Sequence, residues 1–159
     1  HEKLHLMRAF GHRGDDYFFM GINGKNSEVH AAMGLCNLPL VSKLIAARKA
    51  VCDLYTELLD WAHLSAPEWA GGLERNYAYY PVVFESETKM LAIKEVLGQH
   101  DIVPRRYFYP SLNKLPFLSN PEPCPVSEDI SLKVLCLPLH AELAHEDVER
   151  IATLINQHL

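Results

Sequence analysis

The sequence has little that would hold a metal ion or a disulfide framework. Its four cysteines are Cys36, Cys52, Cys124 and Cys136. No two of them form a C-x-x-C pair, and none stands near a histidine at zinc-binding spacing. We therefore expect free thiols, most of them buried, and no metal site.

Strong positive charge and long apolar runs are also missing. The formal net charge is −5 and the isoelectric point is about 6.0. This balance argues against a nucleic-acid partner or an anionic membrane, because a protein with net negative charge does not attract either polyanion. No apolar run in the sequence approaches a membrane span, so we expect no membrane partner.

The chain has 159 residues, and its 48% hydrophobic content is typical of globular proteins. It begins with His1, and its first residues lack the layout of a signal peptide. We expect a cytoplasmic protein that is a processed product or a fragment.

The spacing of apolar residues predicts an α/β fold. Steps of three and four predict a long amphipathic helix from Pro39 to Trp61. The other predicted helices lie at 27–38, 87–99, 127–133 and 145–158, and the predicted strands at 77–84, 102–109 and 134–137. Residues 61–76 read as a connection. Together these elements predict a small α/β sandwich with helices on one face of the sheet.

The segment from Gly21 to Leu38 reads GINGKNSEVHAAMGLCNL. Its glycines permit close backbone approach, and Ser27 is a good N-cap for a helix whose N-terminus suits an anion. Taken alone, Asn23 followed by glycine is a turn signal.

This segment resembles the G-x-N-x-K/R-x-S-E-x-x-A-A-x-G signature of the DegT/StrS family of pyridoxal-phosphate-dependent sugar aminotransferases. Arg48, Tyr55 and Leu59 resemble that family's long-helix pattern. The LCLPLH run that ends at His140, with Glu146 and Asp147 after it, resembles its closing pattern. The resemblance covers nearly the full chain and implies the C-terminal small domain of a fold-type I aminotransferase.

The resemblance also implies a cofactor, pyridoxal 5'-phosphate. In the family, the residue that matches Asn23 contacts the cofactor phosphate of the neighbouring subunit, which assigns cofactor binding to Asn23 and Lys25 and implies a homodimer through the 21–38 region. The family's Schiff-base lysine lies upstream of the part that matches this chain. We therefore expect no catalytic lysine here.

Residues 104–110 read PRRYFYP, which places two arginines among aromatic residues. Arginine suits phosphates, and aromatic faces stack on a base or a sugar. The alternative is an edge segment with an arginine in solvent and tyrosines on the core. The segment resembles that of family members acting on dTDP-linked deoxysugars, which implies substrate contact by Arg106, Tyr107 and Tyr109. In an extended segment Arg105 would point to the opposite face.

Three histidines are candidates for acid–base chemistry. His12 lies between two loop glycines and is the one we expect to line the site with the substrate. His30 is expected to be packed or solvent-facing on its helix, and His140 belongs to the closing pattern.

The sequence therefore predicts the C-terminal portion of an enzyme that transfers an amino group from an amino-acid donor, glutamate, to a nucleotide-linked keto-deoxysugar. Residues 1–38 would end the cofactor-binding domain, and residues 39–159 would form the small α/β domain. Alone, the chain is expected to be inactive. The alternative is a truncated or degenerate homologue that acts as a non-catalytic interaction module.

Overall fold

A computed structural model describes residues 1–24, 26–107, 109–119 and 122–159. They divide into two compact units, His1–Ser42 and Lys43–Leu159. The helices are α1 (Glu2–Met7), α2 (Glu28–Asn37), α3 (Val41–Leu58), α4 (Glu87–Gln99), α5 (Pro125–Lys133) and α6 (His145–Asn156). The strands are β1 (His12–Arg13), β2 (Asp16–Tyr17), β3 (Leu64–Ser65), β4 (Tyr80–Phe84) and β5 (Val134–Leu137). Short 3₁₀ helices occupy Leu38–Leu40 and Leu112–Lys114.

The first unit consists of α1, an antiparallel hairpin and α2. In the hairpin, His12 pairs with Tyr17, and Gly14 takes a φ of 58° at the turn. The hydroxyl oxygen of Ser27 accepts a hydrogen bond from the backbone N–H of His30, so it caps α2 as expected. None of the residues of α2 is buried.

The helical run from Glu28 to Leu58 is, by length and composition alone, apolar enough to cross a membrane, with a mean hydropathy of 1.4 in an 18-residue window. The expectation that no run approaches a span is wrong by this measure, because α2 and α3 follow each other through Leu38–Leu40 without a break. A single such helix is weak evidence for a membrane, since helices of soluble proteins pass the same test.

The second unit is built on a three-stranded antiparallel sheet in the order β3-β4-β5. Alternate residues of β4, at Tyr80, Val82 and Phe84, are buried on one face. This face packs against apolar side chains of α3, α4 and α6, which form the core with it. The α/β class and the long helix followed by a small sheet are confirmed.

Two strand predictions differ from the structure. The predicted strand at 102–109 is reduced to one bridge between Arg105 and Cys136, since Pro104 and Pro110 cannot donate to a ladder. Phe108, in the same segment, lies outside the described residues. In contrast, β3 lies where a connection was expected.

The central strand β4 contains Pro81, which the pairing geometry accommodates. Pro81 lies opposite Cys136 in β5, whose N–H and C=O both bond to Arg105 on the other side. The Pro81–Cys136 pair is therefore the type without mutual hydrogen bonds, and the nitrogen of Pro81 faces β3. Because β3 ends at Ser65, opposite Val83, no ladder bond is lost.

Candidate functional site

The backbone around Asn23 is held by hydrogen bonds to the end of α1. The N–H of Ile22 donates to the carbonyl of Met7 at 2.8 Å, and that of Gly24 donates to Arg8 at 2.8 Å. Asn23 itself forms a bridge with Ala9. The side chain of Asn23 is exposed. Backbone hydrogen bonds thus fix the segment while the side-chain amide of Asn23 stays exposed. A simple surface turn would not need so many backbone bonds to another segment.

Two glycines make this arrangement possible. Gly11 has a φ of +80°, and a β-carbon there would lie 1.8 Å from the carbonyl oxygen of Phe19. Gly21 lies directly against the backbone of Phe10 and Gly11. The sequence predicts close approach at Gly21, and the structure shows its partner. Lys25, the other predicted cofactor contact, lies outside the described residues.

His12 belongs to the first unit and is half-buried. Its Nδ1 lies 2.8 Å from the carbonyl oxygen of Gly14, and its ring stacks on Tyr17 with centroids 5.0 Å apart. Because a carbonyl only accepts, Nδ1 carries the proton in this contact, which makes Nε2 the acceptor of a neutral ring.

His30 is exposed on α2, as expected. Its Nδ1 lies 2.7 Å from the hydroxyl oxygen of Ser27. Since that oxygen also accepts from the backbone N–H of His30, Ser27 and His30 form a closed capping pair at the start of the helix.

The structure places the two adjacent arginines of the second unit in different surroundings. The guanidinium group of Arg106 forms an ion pair with Glu87, the first residue of α4, and donates to the carbonyl of Leu132 at 3.3 Å. It also lies over the ring of Tyr109, 3.5 Å from the centroid. Its side chain is 16% exposed.

Arg105 is exposed, and its guanidinium carbon lies 4.2 Å from the ring centroid of Tyr107. Tyr107 in turn meets Tyr79 edge-on at 4.8 Å. A hydrogen bond between these two hydroxyl-bearing side chains raises the pKa of Tyr79. Arg105, Tyr107 and Tyr79 line a hollow of about 230 Å³ together with Val103.

Tyr79 also lines a larger cleft, of about 690 Å³, on the face of the sheet that points away from the core. We call this the outer cleft; its walls include Trp69, Arg75, Tyr77, Tyr79, Pro81 and Val83. The guanidinium carbon of Arg75 lies 4.1 Å from the Trp69 ring and 4.8 Å from the Tyr77 ring. Trp69 and Arg75 carried no signal in the sequence, because residues 61–76 read only as a connection, whereas Tyr77 and Tyr79 lie in the strand predicted at 77–84.

The cysteines are free thiols, two of them buried. Burial raises the pKa of Cys52 and of Cys136 to about 11, so both stay protonated at neutral pH. Cys36 and Cys124 are exposed, which differs from the expectation that most are buried.

The sequence matches the DegT/DnrJ/EryC1/StrS aminotransferase family over residues 1–156. It is 32% identical over 144 residues to a dTDP-4-amino-4,6-dideoxy-D-glucose transaminase of Escherichia coli, covering 85% of this chain and 38% of that protein. The protein of the same name from Shigella dysenteriae is also 32% identical, over 98% of this chain and 44% of its own length.

Comparison with solved structures points to the same family. A crystal structure of a DegT DnrJ EryC1 StrS aminotransferase from Brucella abortus superposes with a TM-score of 0.85 at 25% identity, over 98% of this chain and 42% of that one. The chain thus spans about two fifths of the length of the proteins that it matches. With a family match from residue 1 to residue 156, this chain belongs to the DegT/DnrJ/EryC1/StrS aminotransferase family.

Proposed function

We propose that this chain is the C-terminal part of a cytoplasmic enzyme that transfers an amino group from glutamate to a nucleotide-linked keto-deoxysugar. The observation that carries the proposal is the 32% identity to a dTDP-sugar transaminase over 98% of the chain. That match includes both the loop around Asn23 and the segment that contains Arg105 and Arg106.

The first unit fits a role at the phosphate of pyridoxal 5'-phosphate, which supplies the amino-group chemistry when bound. Asn23 is exposed on a backbone that hydrogen bonds fix in place. Its neutral amide donates to a phosphate oxygen, and Lys25, two residues further along the sequence, adds a positive charge. His12, whose Nδ1 lies against the carbonyl of Gly14, serves on the substrate side.

The proposal includes a homodimer through the 21–38 region, in which each chain offers Asn23 to its partner's cofactor. The exposure of apolar side chains on α2 supports it: Val29 is 69%, Met33 58% and Leu35 71% exposed. Apolar side chains exposed on several sides of one helix are typical of a helix that other parts of the protein or a partner subunit cover. In the second unit, the segment with Arg106, Tyr107 and Tyr109 contacts the substrate.

The test is an assay of the full-length protein encoded by the gene that contains this sequence. Incubated with pyridoxal phosphate, glutamate and a dTDP-4-keto-6-deoxysugar, it should yield an amino sugar that mass spectrometry detects. The 159-residue chain alone should yield none and should retain no borohydride-stable cofactor. A full-length protein that binds no cofactor and transfers no amino group would instead favour the non-catalytic interaction module.

A further inference from the structure

Two arginines, Arg75 and Arg105, line the hollows beside the outward face of the second unit's sheet. Within the part of the chain that the structure describes, no ion pair involves Arg75 or Arg105. Arg106, by contrast, is paired with Glu87. Arg75 lines the outer cleft and Arg105 lines the smaller hollow, and Tyr79 belongs to both.

Aromatic rings hold both free guanidinium groups in place. Arg75 lies between Trp69 and Tyr77, and Arg105 lies over Tyr107. Stacking occupies the faces of the planar group and leaves its in-plane N–H donors for another partner. It also restricts the side chain, so less conformational entropy is lost when an anion binds. The pair is therefore suited to the planar, bidentate recognition of phosphate.

The outer cleft between these rings is largely apolar. Pro81 and Val83 of β4, Ile130 of α5 and Val134 of β5 contribute to its walls. Its volume of about 690 Å³ lies within the usual range of small-molecule sites. A suitable ligand combines a planar or apolar part with an anionic part. A nucleoside diphosphate has both.

We propose that the outward face of this sheet binds the nucleoside diphosphate of the substrate, with Arg75 and Arg105 as its phosphate contacts and Arg106 as a positioning residue. The inference rests on the proposed function, which supplies a nucleotide-linked substrate. It replaces the substrate contact that the resemblance implied for Arg106 with a positioning role, and it gives a phosphate contact to Arg105.

The positioning role of Arg106 follows from what it contacts. Its guanidinium group joins the start of α4, at Glu87, to the end of α5, at the carbonyl of Leu132. The next residue back, Arg105, then exchanges both backbone hydrogen bonds with Cys136. Arg106 thereby fixes the segment from which Arg105 extends, and its own charge is already paired with Glu87.

The test titrates the 159-residue chain with dTDP and, separately, with thymidine and inorganic pyrophosphate. The chain has two tryptophans, and a Trp61→Phe variant leaves Trp69 in the outer cleft as the fluorescent reporter. Calorimetry gives the dissociation constants. Arg75→Gln and Arg105→Gln should each weaken dTDP binding by about tenfold or more, since each removes a charged hydrogen bond. Both should leave thymidine binding unchanged.

The matched control is Arg150→Gln, at an exposed arginine that donates to the carbonyl of His100. It should leave dTDP binding unchanged. Arg106→Gln should weaken dTDP binding without reducing its salt dependence, whereas Arg105→Gln should reduce that dependence, because Arg105 contacts phosphate and Arg106 does not.

Three results would overturn the inference: no saturable dTDP binding by the folded chain, unchanged binding in both Arg75→Gln and Arg105→Gln, or a reduced salt dependence in Arg106→Gln alone. Amino transfer by the full-length protein, together with any of these, would leave the proposed function standing. The two proposals therefore fail separately.

Discussion

A β-carbon on Gly21 would lie 2.3 Å from the backbone nitrogen of Gly11. Real β-carbons do not approach a backbone atom so closely, so these two segments can lie together only because neither position carries a side chain. The contact holds the residues before the hairpin against the residues that lead to Asn23. The placement of Asn23 thus depends on a pair of glycines ten residues apart in the chain.

Gly21→Ala should separate these two segments. The hydrogen bond from Ile22 to Met7 should open, so hydrogen exchange at the Ile22 and Gly24 amides should become faster while the second unit is unchanged. The control is Gly34→Ala in α2, where a β-carbon meets no atom within 4 Å. That change should stabilise the helix by about 0.5–1 kcal/mol. Unaltered exchange at Ile22 would contradict the close approach.

Asn23→Ala should weaken cofactor retention in the full-length protein and leave the fold intact, because the bridge to Ala9 uses only backbone atoms. A lost hydrogen bond to a charged group is worth about 1.5–3 kcal/mol, a tenfold to hundredfold change in affinity. Equilibrium titration of the variant and of the parent protein with pyridoxal phosphate measures it. An unchanged dissociation constant would identify Asn23 as a turn residue only.

Glu87→Gln should destabilise the second unit. The Arg106 and Glu87 side chains are 16% and 38% exposed, so the change leaves a largely buried guanidinium group without its countercharge. We expect a loss of about 1–3 kcal/mol in urea unfolding. Glu85→Gln, which removes a contact with His63 between side chains that are more than half exposed, should cost less than about 0.5 kcal/mol. Equal losses of unfolding free energy in the two variants would show that the Arg106–Glu87 pair stabilises the fold no more than the exposed His63–Glu85 contact does.

Glu128 should make stability depend on acidic pH. Hydrogen bonds from the Cys124 backbone N–H and the Asn113 amide, with Lys114 beside them, lower the pKa of Glu128 to about 2 from its usual 4.5. Because the folded-state pKa is depressed, the contribution is complete above about pH 5 and is lost as pH falls toward 2.

Urea unfolding of Glu128→Gln between pH 2 and 6 tests this dependence. The variant should lack the part of the acid destabilisation that Glu128 causes in the parent chain. Glu57→Gln, at an exposed carboxylate on α3, serves as the control and should follow the parent curve. A Glu128→Gln curve parallel to the parent's across this range would contradict the assignment.

The exposed apolar residues of α2 should drive self-association of the isolated chain. Replacing Val29 and Leu35 by Lys removes part of a patch that monomers rarely leave uncovered. Sedimentation velocity at increasing concentration should show association in the parent and less in the double variant. Leu91→Lys, at a 42% exposed site on α4, should change nothing. A parent chain that stays monomeric at high concentration would contradict the proposal.

Helices were predictable because their signals are local. Ser86 caps α4 through the N–H of Lys89, and the predicted bounds of 87–99 agree with the structure. Strands depend on partners distant in sequence. β3 has only two residues, and its pairing with Val83 and Phe84 could not be inferred from its own composition.

The two parts of the candidate site also differ in how well the sequence predicts them. A contiguous motif pointed to Asn23, whereas the outer cleft forms from a loop whose course has no sequence signature. Tyr77 has a φ of 51°, a conformation that tyrosine rarely adopts and that tertiary contacts impose. Tyr77 adopts this conformation where its ring stacks on Arg75, which also stacks on Trp69. The spacing of these residues in the sequence does not predict the stacking.

The proline in β4 has a consequence for solubility. If the β3–β4 register continued past Ser65, Pro67 would lie opposite Pro81, and neither residue has an N–H to donate. The ladder must end there, and the strand of another molecule would find no donor at Pro81 either. This edge of the sheet is thereby protected against intermolecular strand addition, the first step of amyloid-like aggregation. The same two prolines that keep the loop out of the sheet thus keep neighbouring molecules out as well.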